Sequence, residues 1–356
     1  MLFYGYKDPG KEVIEHDITA PDIMNYIDTA INNRPVDIII GGPPCQAYST
    51  AGRARDKDGM KNDPRNFLFE SYVRILNHYR PKLFVFENVT GILTARVNDK
   101  SIISLVEEAL GKHYNIITDP SKIVFNTANY GVPQTRKRVI LMGIRKDIEL
   151  SIAQLYDNVI KTHYDPDMDE QKRVGLKKYV TVSDAISELP PLLPGQGQDA
   201  VPFEYSLSND FLKRIGDSKN TILYDHVCRK HNEQDMTRYH EMALHRWTFE
   251  ELLTNRPDLK HEPARLFGNS YVVQFGDLPA RTIIAHLYKD GNQFIHPDPA
   301  QSRTITVREA ARLQSFPDDF QFAGSRGDKY KQIGNAVPPL FAEALAKAVK
   351  NALNKM

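Results

Sequence analysis

Two cysteines in 356 residues, Cys45 and Cys228, leave no basis for a disulfide framework. Such usage points to a reducing compartment. No apolar run approaches the ~20 residues that a membrane helix needs, which excludes a helical membrane-spanning protein. The opening segment, MLFYGYKDPGK, lacks the basic stretch and apolar core of a secretory signal. Cytoplasmic residence is therefore the expectation. Neither C-x-x-C nor H-E-x-x-H occurs, so no metal is expected. An excess of one charge is also missing: 46 basic and 45 acidic residues leave a net charge of +1. Any surface for nucleic acid would have to be local. No repeat recurs at a period of about 20 to 50 residues. What remains is ordinary: 41% hydrophobic and 26% charged residues over a length that suggests about two domains.

From about residue 36 to 145, short apolar runs alternate with helical patterns. Val36 to Ile40 ends in Gly41-Gly42-Pro43-Pro44, and Leu83 to Phe86 ends in Glu87-Asn88-Val89. Lys122 to Phe125 and Val139 to Met142 follow. Apolar runs bounded by turn residues read as buried strands of a parallel sheet. Between the first two lies a helix. Asp63 caps it, Pro64 fits its first turn, and Leu68, Tyr72, Ile75, Leu76 and Tyr79 share one face. Strand, helix and strand make the unit of an α/β fold. The stretch from Leu189 to Gln198 reads as a linker from its Pro and Gly content, and the region up to about residue 300 is irregular. Thr306-Val307-Arg308-Glu309 is a capping-box pattern. Phe341, Leu345, Val349 and Leu353 mark an amphipathic terminal helix.

In an open sheet, ligands gather at the carboxyl ends of the strands. Cys45 follows one such end and Glu87 another. Alone, Cys45 reads rather as a small buried hydrophobe in a turn, and Glu87 rather as a helix cap. Arg136 and Arg138 alternate, so on a strand they point the same way; by themselves they suit an exposed basic edge. The segment from Gln46 to Asn62 suits a mobile lid or a solvated loop.

GGPPCQAYS at 41–49, DPRNFLFE at 63–70, FENVTG at 86–91, GVPQTRKRV at 131–139, RTITVREAARLQSFPD at 303–318 and QIGNAVPP at 332–339 occur in that order. The series resembles the DNA cytosine-5 methyltransferases of restriction–modification systems. The resemblance implies an S-adenosylmethionine-dependent, Rossmann-like α/β sheet with a smaller irregular target-recognition domain. It implies a catalytic domain over 1–190 and 325–356, and target recognition by 191–324. It implies double-stranded DNA as substrate, S-adenosylmethionine as methyl donor, and a bacterial or archaeal, nucleoid-associated enzyme. Cys45 becomes the nucleophile that adds to C6 of a flipped-out cytosine. Glu87 becomes the group that holds a proton at N3, and Arg136 and Arg138 hold the ring and order the cysteine loop. Gln46, Ser49, Asn88 and Gln134 fall at substrate-side positions. Asp17, Ile18, Pro44, Leu68, Asn335 and Val337 fall at donor-side positions. His226, Cys228, Arg229, Lys230 and His231 cluster in the recognition region and read as a DNA approach or a solvated turn. Arg281 and Thr282 read as support, and Arg308 and Glu309 as structural.

The family's glycine-rich turn after the first strand, and the acidic residue about 20 positions later, have no match here. The expected sheet is thus N-terminally incomplete. A second polypeptide supplying that strand and turn, a truncated chain, and a rebuilt edge are the explanations left open. Two other functions stay open beside methyl transfer to DNA: an inactive or partner-dependent subunit that binds DNA, and a cytosine-5 methyltransferase acting on RNA.

Overall fold

The computed structural model describes residues 16–43, 68–97, 100–216, 221–260 and 270–356. They fall into two compact units. The first comprises Met1–Asn126, Lys137–Ile160 and Ala344–Met356; the second comprises Thr127–Arg136 and Lys161–Glu343.

The first unit is built on a sheet of β1 (Ile38–Gly41), β2 (Leu83–Val89), β3 (Tyr114–Ile116), β4 (Val124–Asn126) and β5 (Lys137–Arg145). β1 lies parallel to β2, with Ile40 opposite Val85. β5 runs antiparallel to β2, and β3 and β4 both pair antiparallel with β5. The expectation of a parallel sheet therefore holds only for β1 and β2. An apolar run reports that a strand is covered on both faces, and carries no sign of chain direction. Leu83, Phe84, Val85 and Phe86 are all buried, as are Val139 to Met142. The run at Lys122 also departs from expectation. Asp119 accepts a hydrogen bond from the Ser121 amide and Pro120 starts a helical turn, Pro120–Ile123, so the strand begins only at Val124.

Helices α1 (Ile23–Ile31), α2 (Leu68–Tyr79), α3 (Ile102–Leu110) and α4 (Ile152–Asp157) belong to this unit. α2 buries Tyr72 and Leu76, two members of the apolar face read from the sequence. α4 carries Tyr156, whose hydroxyl donates to the Ile140 carbonyl and accepts from the Met142 amide, fastening the helix to β5. β1 ends the sheet. Among the described residues its outer edge has no partner, and Ile40 on it is 70% exposed.

The second unit pairs β6 (Gly197–Pro202) antiparallel with β7 (Ile222–Val227), and the short strand Gln134–Thr135 parallel with Ala280–Arg281. Its helices are α5 (Val182–Ile186), α6 (Asp210–Ile215), α7 (Glu233–His245), α8 (Phe249–Asn255), α9 (Val307–Leu313) and α10 (Arg326–Asn335). Ala185, Leu212, Leu223, Ile283, Ala310, Leu313 and Ile333 meet in one core, and Tyr239, Met242, Phe249, Leu252 and Ile295 in another. The segment that looked irregular thus holds several capped helices. Asn232 caps α7 and Thr248 forms a capping box with Glu251 at α8, short polar signals masked by equally polar neighbours.

The expected capping box at Thr306 and Glu309 opens α9, every residue of which is buried. The linker-like stretch after Leu189 is fastened down. Its Leu192 amide donates to Gln301, its Gly195 amide to the Arg229 carbonyl, and its Pro190 carbonyl bonds His226. Lys230 is exposed and His231 half-buried, while His226, Cys228 and Arg229 are buried, which corrects both readings for these three, as a DNA approach and as a solvated turn. β7 carries the first of them inward, and Arg229 spends its guanidinium on the Leu287 and Lys289 carbonyls. The terminal helix α11 (Pro339–Leu353) buries Phe341, Leu345 and Val349, as its spacing required.

Candidate active site

Glu87 sits near the carboxyl end of β2, and β1 ends beside it at Gly41. The Nε of Arg138 lies 3.1 Å from Oε1 of Glu87. Both side chains keep some access to solvent, 23% for Glu87 and 12% for Arg138. Their pairing follows from register. Arg138 stands opposite Val89, and Glu87, two residues earlier, shares that face of the sheet.

The two glycines after Ile40 are needed for close approach. A Cβ on Gly42 would lie 3.1 Å from Oε2 of Glu87, and one on Gly41 would lie 2.5 Å from the Tyr72 ring. Asn88 is buried, and its Nδ2 reaches the Pro43 carbonyl at 3.4 Å while its Oδ1 accepts from the Val89 amide. Tyr72 adds a residue that the sequence offered only as part of an apolar face. Its hydroxyl lies 3.0 Å from the Val85 carbonyl and 3.4 Å from that of Ile39, so one phenol bridges β1 and β2. Burial raises its pKa far above the ordinary phenol value, and it stays a neutral donor. The only hint was a tyrosine on a face that must meet a Gly-Gly turn.

Arg136 departs from expectation. It lies in the break between Gln134–Thr135 and β5, so the alternation of a continuous strand does not apply to it. It belongs to the second unit and Arg138 to the first. Arg136 is buried, not an exposed basic edge, and donates to the carbonyls of Ile283 and Gly334 at 2.7 and 3.0 Å. Gln134 is also buried, with its carboxamide bonded to Ile283, Leu313 and Gln314. Thr282 supports the same strand through the Thr135 carbonyl.

The donor-side positions divide between the units. Asp17, Ile18 and Leu68 fall in the first, Asn335 and Val337 in the second. The Asp17 carboxylate accepts from the amide and hydroxyl of Thr19, both at 2.8 Å, and these bonds hold its pKa below the usual range. The Ile18 carbonyl accepts from Arg74. Leu68, the first residue of α2, and Val337 are half-buried. Asn335 ends α10 with an exposed side chain, and the cap position falls to Ala336. Pro44, Cys45, Gln46 and Ser49 lie outside the described residues, as do the expected cap Asp63, Pro64 and the whole of the candidate lid.

α9 shows why Arg308 and Glu309 read as structural. Glu309 caps the helix through the Thr306 amide and forms a two-pronged pair with Arg303. Arg308 donates to the carbonyls of Tyr224, Pro317 and Phe320.

A mixed sheet with an acidic strand end beside a glycine turn belongs to the α/β class, in which ligands gather at the strand ends. The particular class comes from comparison. The model of the C-5 cytosine-specific DNA methylases matches residues 2–351, and the chain belongs to that family. It is 40% identical over 334 residues to the type II methyltransferase M.Bpa9945I of Bacillus paralicheniformis, covering 90% of this chain and 71% of that protein. It is 31% identical over 360 residues to the type II methyltransferase M.DdeI of Desulfomicrobium norvegicum, covering 97% and 79%. A crystal structure of a candidate DNA modification methyltransferase encoded within a prophage (E. coli) superposes with a TM-score of 0.66 at 25% identity, covering 96% of this chain and 86% of that one. The chemistry of the family is S-adenosylmethionine-dependent methyl transfer to C5 of cytosine in DNA. No helix among the described residues is long and apolar enough to cross a membrane.

Proposed function

We propose that the chain methylates cytosine through a covalent adduct on Cys45. C5 of cytosine is a weak nucleophile. Addition of the Cys45 thiolate to C6 makes an enamine, whose C5 takes the methyl group as the S–CH3 bond of the donor breaks and S-adenosylhomocysteine leaves. Loss of the C5 proton and departure of the thiolate then restore the ring. When bound, S-adenosylmethionine supplies the electrophilic methyl group. Glu87 holds a proton at N3 and so stabilises the adduct. Arg138 orients Glu87, Asn88 steadies Pro43, two positions before Cys45, and Gln46 and Ser49 are assigned to the substrate. A base in a duplex cannot present C6, so the target is flipped out.

The observation that carries this reading is the Glu87–Arg138 pair packed against Gly42, three residues before Cys45. For the donor, the exposed carboxamide of Asn335 and the half-buried Val337 fit a carboxylate and an apolar neighbour. We assign 1–190 and 325–356 to catalysis and 191–324 to recognition of the DNA sequence.

A partner-dependent form of this activity has its own support. Among the described residues β1 has no outer partner and Ile40 on it is exposed, which fits a further parallel strand; a second polypeptide bearing that strand and a glycine turn would complete the donor site. The test is transfer of tritium from labelled S-adenosylmethionine to mixed-sequence DNA by the purified chain, beside Cys45→Ser. Label that depends on Cys45 supports the covalent reading; label retained by Cys45→Ser ends it. Label that appears only when the strand-bearing polypeptide is added supports the partner.

A further inference from the structure

We propose that Gln314 is a positioning residue that ties the strand carrying Gln134 and Arg136 to the turn carrying Asn335 and Val337. This rests on the reading of Asn335 and Val337 as donor-side residues.

Gln314 follows α9 and is fully buried. Its Nε2 donates to the Ile333 carbonyl at 3.0 Å and to the Ala336 carbonyl at 2.8 Å. Its Oε1 accepts from Nε2 of Gln134, and that nitrogen also donates to the Leu313 carbonyl at 3.1 Å. Oε1 of Gln134 accepts from the Ile283 amide at 2.8 Å.

The direction of this relay is fixed by chemistry. The Ile283 amide can only donate, so the oxygen of Gln134 must face it. The carbonyls of Ile333 and Ala336 can only accept, so the nitrogen of Gln314 must face them. That leaves the oxygen of Gln314 for the nitrogen of Gln134. Turning either carboxamide over would set like against like and strand buried backbone groups.

The turn is held on two further sides. Arg136 donates to the Gly334 carbonyl. Gly334 itself presses on the backbone of Ile284 and Ala285, where a Cβ would come within 2.2 Å of the Ala285 nitrogen. Arg136 also holds the Ile283 carbonyl, so residues 283–285 serve as a common anvil for both motifs. Gln134, Arg136 and Gln314 thus fix the backbone from 333 to 336, leaving the exposed Asn335 side chain to a ligand. A displacement of Gln134 is passed to that turn through two carboxamides with no slack between them.

The test uses Gln314→Met and Gln134→Met, near-isosteric changes that remove the polar ends, in the full chain. Hydrogen exchange by mass spectrometry reads the segment 333–337. Each variant is expected to speed exchange there by about tenfold or more, with the double variant no faster than the worse single one. Gln134→Met is the informative arm, because Gln134 touches no residue of that segment; it also serves if Gln314→Met does not fold. Unchanged exchange at 333–337 in Gln134→Met, or additive effects, overturns the relay. Tritiated S-adenosylmethionine is the probe for the donor. The relay predicts weaker donor binding by about tenfold in each variant, and for Gln314→Met DNA binding within about twofold of the parent. If saturating S-adenosylmethionine leaves exchange at 333–337 unchanged in the parent chain, the donor assignment of Asn335 and Val337 fails, whereas the relay is judged by the variants alone.

Discussion

Arg138 reaches Glu87 across the diagonal of an antiparallel pair, its Nε 3.1 Å from the carboxylate. The contact is made by two strands, and no loop has to order for it to form. On the proposed mechanism, Arg138→Met leaves Glu87 without its orienting partner. The expected result is a fall in kcat of about a hundredfold with a thermal midpoint close to the parent's, measured by methyl transfer and melting. A variant with parental kcat would remove Arg138 from the mechanism.

Gly42→Ala tests the same site from the opposite wall. The added methyl would sit 3.1 Å from Oε2 of Glu87, so the carboxylate must move by a few tenths of an ångström. Such a shift at a reacting group is expected to cost roughly ten- to a hundredfold in kcat with little effect on folding. Gly41→Ala should behave the other way. Its methyl meets the ring of Tyr72 at 2.5 Å, and Tyr72 is buried on α2 against β1 and β2. Overpacking there is expected to cost about 1–3 kcal/mol, read from urea unfolding. Equal effects of the two changes on activity and stability would mean that the turn is compliant.

Much of this site was legible beforehand because it depends on residue type at fixed places in the chain. Glu87 at a strand end and Gly-Gly after β1 are such features. The amphipathic spacing of α11 and the capping box of α9 were equally local. The direction of β5 was not, since burial on both faces gives the same apolar run either way. Nor was the fate of Arg136. Its alternation with Arg138 presumes one strand, and the break at Arg136 depends on Ile283 and Gly334, both well over a hundred positions away. Arg229 misled for a related reason: a basic residue looks solvent-bound until the carbonyls of Leu287 and Lys289 are seen to accept its hydrogen bonds. The capped helices α7 and α8 escaped notice because their caps are polar residues in a polar region.

The buried pair of Arg303 and Glu309 makes a stability prediction independent of activity. Two bonds of 2.7 Å join the groups, and each side chain is 1% exposed. Glu309→Gln removes the charge that Arg303 is buried against and weakens the cap on α9. The expected loss is about 3–5 kcal/mol in urea unfolding. Replacing both partners, as in Arg303→Met with Glu309→Leu, should cost less than the sum of the single changes, because no charge is left unpaired. Additive losses would show that the pair contributes through packing alone.

Two histidines give the second unit a dependence on acid. His296 accepts from the Asp298 amide through Nδ1, so its proton sits on Nε2, 3.6 Å from Glu309. His231 accepts from the Thr304 amide through Nε2. Burial lowers the pKa of each from 6.5 to about 4. Both groups are therefore neutral in the folded chain across a range in which the unfolded chain is protonated. Their contribution is complete above the unfolded value of 6.5 and is lost as pH falls from there toward 4, since the unfolded state then binds more protons. The carboxylate of Glu309, held far below its ordinary pKa by Arg303, stays charged through that window and does not reverse the sign. A fall in the thermal midpoint on the order of 5 °C is expected between pH 6.5 and 4.5. His296→Asn, which keeps a side-chain acceptor for the Asp298 amide but does not titrate, should flatten part of that slope. A slope identical in parent and variant would assign the acid sensitivity elsewhere.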